Sequence, residues 1–234
     1  SAFRAALIAD GEPRWTGYAA MRTILPMAEL AADVPRDCVL LWGGPGCHIV
    51  HYPLRHGKEF NLVAVFRTST YAEKGDAASY RAELKETYRD AHPTTHALIA
   101  MIDLQWRRPI GDRAPVRHWH KGRIVLLGDA AHAPLQSLAQ GAGMAIEDGL
   151  CLAETIHAAN GDYGQAFRRF EQLRLVRTAR VQLESRAMWD FFYHVGGIER
   201  DVRNATVAGW DEAHLFDCLS WLYDGFELKS ANGR

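Results

Sequence analysis

The hydrophobic pattern of this chain changes character near its middle. In the first third, apolar residues come in short stretches rich in β-branched and aromatic side chains: "GYAAMRTIL" (17–25), "CVLLWG" (38–43), "CHIVHYPLR" (47–55) and "EFNLVAVFRT" (59–68). Such stretches predict strands. Gly-Gly-Pro-Gly (43–46) and Arg-His-Gly-Lys (55–58) separate the last three, which predicts an antiparallel meander. From residue 76 the period lengthens. "DAASYRAELKETYRDA" (76–91) reads as an amphipathic helix capped by Asp76, and "TTHALIAMI" (94–102) as a helix with Pro93 at its start. Ile124 to Leu127 form a short continuous apolar run, the pattern of a strand buried on both faces. Ala142, Ala145, Ile146, Gly149, Leu152, Ala153 and Ile156 recur at helical spacing and predict a helix over 141–158. Residues 164–194 read as one long helix, and 211–226 as a last short one. The order predicts a sheet-containing layer, one returning strand, then a helical layer.

Composition narrows the class without naming a function. The 234 residues are 48% hydrophobic and 24% charged, an ordinary globular balance. A formal net charge of −1 gives no bulk attraction to nucleic acid or to a membrane surface. The arginines of 164–194 are interleaved with glutamates, which reads as a solvated or salt-bridged face. No apolar run approaches the roughly 20 residues of a membrane span. The N-terminus lacks the basic-then-apolar order of a signal peptide and begins with Ser. The cysteines at 38, 47, 151 and 218 form no CxxC pair, so the reading is free thiols in a reducing cytoplasm. Cys47, His48 and His51 invite the question of a metal. In a strand, His48 and His51 point to opposite faces, and no metal site is expected.

The chemistry concentrates in "GRIVLLGDAAHAPLQSLAQGAGMAIEDG" (122–149). Asp129 stands where a strand would end, and ligands of open α/β sheets bind just beyond strand C-termini. A carboxylate there can accept hydrogen bonds from sugar-like hydroxyls. Gly141 and Gly143 remove side chains from the first turn of the next helix, so a ligand can touch its free amides and the positive end of its dipole. The Gly-x-Gly is not a dinucleotide fingerprint, because Ile146 stands where the third glycine belongs.

The full order, strand, Gly-Asp-Ala-Ala-His, Pro, Gln-Gly-Ala-Gly, Glu-Asp, resembles the second FAD-binding motif of the class A flavoprotein aromatic hydroxylases, the para-hydroxybenzoate hydroxylase family. The resemblance implies that Asp129 binds the ribityl chain of FAD and that Gly141, Ala142 and Gly143 offer backbone to the flavin ring. His132 and Pro134 match the family's loop, His132 in a structural role. "SAFR" is similar to the end of the family's Asp-Gly-x-x-Ser-x-x-Arg motif, with Ser1 and Arg4 as its last members. The Asp-Gly half and the N-terminal Gly-x-Gly-x-x-Gly unit, which cradles the ADP half of FAD, are absent from this sequence. The expected fold is therefore α/β, as an α+β fragment. An antiparallel substrate-domain sheet with helices occupies 1–119, the second FAD motif 120–160, and a helical region 161–234.

"WGGPGCHIVHYPLR" and "HAPLQSLAQGAGMAIEDGLCLAE" resemble the 3-hydroxybenzoate 6-hydroxylases and their salicylate hydroxylase relatives. That likeness implies a small aromatic acid and O2 as substrates, and NADH, or alternatively NADPH, as reductant. His48 is implied as general base, with Tyr52 and Gln136 contacting the substrate. Residues 48 and 52 are an even number apart and so share a strand face. The implied product from 3-hydroxybenzoate is 2,5-dihydroxybenzoate. Salicylate 1-hydroxylation with decarboxylation, a 6-hydroxynicotinate-type substrate, and a non-catalytic fragment are the alternatives. A homodimer is compatible with the sequence.

Overall fold

A computed structural model describes residues 1–32, 34–69, 76–105 and 107–225. Its strands are β1 (Arg14–Pro26), β2 (Leu40–Gly44), β3 (Cys47–Leu54), β4 (Glu59–Arg67), β5 (Arg108–Asp112), β6 (His120–Lys121) and β7 (Ile124–Val125). Its helices are α1 (Ala2–Leu7), α2 (Ala77–Thr87), α3 (Pro93–Ala100), α4 (Asp129–His132), α5 (Gly141–Ala158), α6 (Tyr163–Ala187), α7 (Gly197–Ala208) and α8 (Glu212–Tyr223). Residues Met188–Tyr193 widen into a π-turn after α6. The mixture of helix and antiparallel sheet is the one expected. Contacts divide the chain into two units. One holds Trp15–Gly111 with Trp189–Asp201; the other holds Ser1–Arg14, Asp112–Met188 and the described part of Val202–Arg234. This division crosses the one read from the sequence, because the N-terminal residues join the motif loop and residues 189–201 join the sheet.

The first unit is built on a five-stranded sheet in the order β2-β3-β4-β1-β5. β2, β3 and β4 form the expected antiparallel meander, and β1 pairs antiparallel with the far edge of β4. The alternation of side chains gives the sheet two faces. Ala19, Met21, Ile49, Leu62, Ala64 and Phe66 lie on one, packed with Tyr80, Leu84, Leu98 and Ile99 of the helical side into the main core. On the other face His48, Val50 and Tyr52 of β3 stand beside Val65, Val63 and Asn61 of β4. The helices covering the core begin where the sequence places them. Asp76 accepts hydrogen bonds from the amides of Ala78 and Ser79 and so caps α2. Pro93 occupies the first turn of α3.

In the second unit α5 and α6 pack together around Trp119, Leu126, Ala131, Cys151 and Phe170, while Leu138, Met144, Val181 and Leu222 form a smaller cluster. Three expectations are corrected here. The run 124–127 is no doubly buried strand: only Ile124 and Val125 pair, with Lys121 and His120, and Ile124 and Leu127 are exposed. Its apolar character has no second strand to cover it among the described residues. The helix over 141–158 forms, but its buried face is Met144, Asp148, Cys151 and Thr155, and Ile146 is 74% exposed. The arginines of α6 are salt-bridged but not all solvated, since Arg174 is fully buried. The helix α7 was not expected; it buries none of its residues, and its apolar Ile198 and Val202, four residues apart, are exposed. No described helix is long and apolar enough to cross a membrane.

Candidate active site

Asp129 opens the single turn of α4 and is exposed. Among the described residues its carboxylate forms no hydrogen bond or ion pair. A Cβ added to Gly141 would lie 3.8 Å from Asp129 Oδ1, so the carboxylate borders the start of α5 directly. There the first helical bond runs from the Met144 amide to the Gln140 carbonyl. The amides of Gly141, Ala142 and Gly143 therefore have no helical acceptor and carry the positive end of an 18-residue helix. A free carboxylate beside free amides can hold a ligand that presents hydroxyls on one side and an electron-rich edge on the other. Gln136 begins a short 3-10 turn between these elements. Leu135 and Leu138 bury and fix the loop, and the Gln136 side chain stays exposed.

The turn that carries Asp129 is clamped from beneath. Gly128 adopts φ +54 and ψ −142, open essentially to glycine alone. A Cβ there would also come within 3.1 Å of the Ala145 Cβ. The Gly128 amide donates to Asp148 Oδ2 at 2.8 Å, and His132 Nε2 lies 2.6 Å from that same oxygen. Arg174 Nε donates to Asp148 Oδ1 at 2.7 Å, and its Nη1 donates to Glu147 at 2.5 Å. Arg177 grips Glu147 with two further bonds. Burial alone would raise the Asp148 carboxyl. The hydrogen bond and charge of His132, with the Gly128 amide and Arg174, hold it below its ordinary value instead. From the other side, buried Arg4 donates to the carbonyls of Ala130 and Ala131 at 2.9 and 2.7 Å and is itself paired with Asp10. Asp148 and Arg174 carry no role in the sequence reading. The signal was present: spacing 144, 148, 151, 155 places Asp148 on one helix face with three residues that bury.

His48 and Tyr52 lie in the sheet unit, on the face away from the main core, as their even spacing requires. Tyr52 is half-buried beside Asn61. His48 is 1% exposed. Its Nδ1 stands 2.7 Å from Nε2 of His194, while its Nε2 is buried without a partner among the described residues. Trp189 and Tyr193 meet the His48 ring edge-on. Burial, and then the neighbouring His194, push the His48 pKa down from 6.5 to about 3. His194 was not expected near His48 at all; it is 146 residues away in sequence. The loop glycines deliver it: a Cβ on Gly43 would lie 2.8 Å from the Tyr193 carbonyl, and the Gly46 amide donates to the His194 carbonyl at 3.3 Å.

Residues 23–167, more than half of the chain, match the protein family described as FAD binding domain. The chain belongs to the class A flavoprotein hydroxylases. Within this family, a 3-hydroxybenzoate 6-hydroxylase of Klebsiella oxytoca is 38% identical over 224 residues, 95% of this chain and 56% of that protein. The 3-hydroxybenzoate 6-hydroxylase 2 of Aquipseudomonas alcaligenes is 37% identical over 92% of this chain and 67% of its own length. The flavoprotein hydroxylase fold is also that of Klebsiella pneumoniae HpxO, solved with FAD and uric acid. The TM-score is 0.78 at 22% identity, covering 94% of this chain and 56% of that one. The chain thus spans little more than half the length of the first of these relatives.

Proposed function

We propose that this chain supplies the flavin-contacting loop and the substrate-facing strand of an FAD-dependent, NAD(P)H-dependent aromatic monooxygenase that converts 3-hydroxybenzoate to 2,5-dihydroxybenzoate. The observation that carries the reading is the free, exposed Asp129 carboxylate held by a buried clamp beside the open amides of α5. These residues fit FAD. Asp129 would accept hydrogen bonds from ribityl hydroxyls, and the amides of Gly141, Ala142 and Gly143 would donate to the flavin edge, where the helix dipole favours negative charge. Bound FAD supplies electrons taken from NAD(P)H and activates O2. The likeness to the 3-hydroxybenzoate 6-hydroxylases supports the substrate class.

The remaining chemistry falls to side chains of this chain. A buried nitrogen with no partner costs about 1–3 kcal/mol, and a substrate hydroxyl at His48 Nε2 would remove that cost. With a pKa of about 3, His48 is neutral at the pH of activity and keeps a lone pair. It is far too weak to strip a resting phenol of pKa about 10, a gap of roughly 10 kcal/mol. Its task is narrower. As the ring carbon para to the hydroxyl takes up oxygen, that hydroxyl hydrogen becomes strongly acidic, and a weak base in hydrogen-bond reach can accept it. Gln136, exposed and uncommitted among the described residues, would bind the substrate carboxylate, and Tyr52 the ring. The test is product analysis with the FAD-loaded full-length protein. NADH and 3-hydroxybenzoate should yield 2,5-dihydroxybenzoate. Catechol from salicylate, with no product from 3-hydroxybenzoate, would overturn the substrate assignment, and no hydroxylated product from any aromatic acid would overturn the activity.

A further inference from the structure

We infer that Arg22, with Asn61 beside it, forms the subsite for the substrate carboxylate, at the opposite end of the bound ring from His48. The inference rests on the monooxygenase reading and adds to it two residues that no motif marks. Strand register places them. Val63 of β4 stands opposite Val50 of β3 on one side and opposite Arg22 of β1 on the other. One side-chain row along, Val65 stands between His48 and Ala20; one row the other way, Asn61 stands between Tyr52 and Ile24. Partners in register share a face, so His48, Tyr52, Asn61 and Arg22 all stand on the sheet face away from the main core. Arg22 and Asn61 are diagonal neighbours on adjacent strands, close enough for a long side chain to bridge.

The polar groups of this face differ in what they already hold. In the paired stretch of β1 and β4 two arginines share it. Arg67 lies over the Tyr18 ring at 5.5 Å. Arg22 is exposed, and among the described residues it forms no hydrogen bond or ion pair. Asn61 is 2% exposed, and its Nδ2 is buried without a partner among the described residues. A bare buried donor is costly, and a carboxylate oxygen would satisfy it. A guanidinium matches a carboxylate well, since its planar fork donates two parallel hydrogen bonds. Between these donors and His48 the face is apolar, built of Ala20, Val63 and Val65. The Cα atoms of His48 and Arg22 are about 12 Å apart by strand spacing, two strands across and one row along. An imidazole, one benzoate ring and an arginine stem fill that span. 3-Hydroxybenzoate can thus set its hydroxyl at His48 Nε2 and its carboxylate at Arg22 and Asn61. The two oxygens of a carboxylate accept several bonds, so the role proposed for Gln136 stands beside this one.

The experiment is calorimetric titration of the FAD-loaded full-length protein with 3-hydroxybenzoate and with 3-hydroxybenzyl alcohol, which keeps the ring and hydroxyl and loses the charge. The wild type should bind the acid at least about tenfold more tightly than the alcohol. Salicylate carries its two groups on adjacent carbons, reaches one end only, and should also bind at least about tenfold more weakly than 3-hydroxybenzoate. Arg22→Met keeps the aliphatic stem and removes the charge. It should weaken the acid by about ten- to hundredfold and leave the alcohol within about twofold of the wild type. Arg22→Lys keeps the charge without the fork and should fall between the two. Asn61→Leu should repeat the pattern more weakly, and an unchanged acid affinity there takes Asn61 out of the subsite. Equal losses of acid and alcohol in Arg22→Met, or no loss, overturn the inference. A wild type that binds acid and alcohol alike, or salicylate as tightly as 3-hydroxybenzoate, overturns it without any variant. Tight, Arg22-dependent binding of the acid with no hydroxylated product would sink the monooxygenase reading and leave the subsite standing.

Discussion

His48 of the sheet unit and Gln136 of the motif loop live in opposite surroundings, and their predictions differ accordingly. His48 is buried and neutral, so its loss should act on proton transfer. His48→Ala in the full-length enzyme should leave flavin reduction near the wild-type rate and slow hydroxylation by about 10²–10⁴-fold. Reducing equivalents would then appear as hydrogen peroxide. Raising the pH towards the phenol's own pKa of about 10 should partly restore product, because solvent then supplies the phenolate. Stopped-flow reduction and product per NADH across pH check this; full coupling in His48→Ala at pH 7 would remove the base role. Gln136 is exposed. Gln136→Leu should leave stability within about 0.5 kcal/mol of the wild type. It should raise KM for 3-hydroxybenzoate more than it lowers kcat, and an unchanged KM would count against a carboxylate contact.

At the scale of elements, the clamp beneath Asp129 is the part most sensitive to mutation. Arg174 is fully buried and joins α6 to Glu147 and Asp148 of α5. Removing one member of such a pair strands a charge in the interior, at a cost of about 3–5 kcal/mol. Arg174→Leu should lower the unfolding free energy, and with it the urea midpoint, accordingly, whereas Arg180→Leu, at a half-exposed pair with Glu184, should change that free energy by less than about 1 kcal/mol. Equal midpoints for the two variants would contradict the clamp. Local pattern made much of this legible beforehand. The meander, the Asp76 cap, the Pro93 start and the span of α5 follow from turn chemistry and spacing, which act over a few residues. Other features depend on distant partners. Which face of α5 buries is set by Arg174 and by Gly128, not by the apolar stripe at 142, 146, 149 and 153. The run 124–127 looks like a covered strand but pairs only with a two-residue neighbour. The positions of Asp129 and the α5 glycines were marked by a contiguous motif. His194 was not, because a side chain 146 residues away leaves no trace in local pattern.

For the whole molecule, acid stability and surface chemistry give further tests. His48 and His194 have folded pKa values of about 3 and about 4, both below the ordinary 6.5. Between pH 6.5 and those values the unfolded chain binds protons that the folded chain refuses. Stability from this source is complete above pH 6.5 and falls as the pH drops, by up to about 1.4 kcal/mol per pH unit for each histidine. Urea unfolding at pH 7 and pH 5 should show the loss, and His194→Phe should make it shallower; an equally steep loss in the variant would contradict the assignment. Ile146 and Leu150 of α5 are 74% and 56% exposed, and Ile124 and Leu127 are open as well. This chain should therefore bind a hydrophobic dye, and Ile146→Glu with Leu150→Lys should reduce that binding without lowering the unfolding midpoint. The central claim is that Asp129 and the start of α5 hold FAD. Titration of the full-length protein with FAD, followed by flavin fluorescence, tests it most directly. The wild type should bind one FAD per chain, and Asp129→Ala should bind it roughly ten- to hundredfold more weakly, the loss of a charge-assisted hydrogen bond of about 1.5–3 kcal/mol. Equal affinity in the two proteins would contradict it.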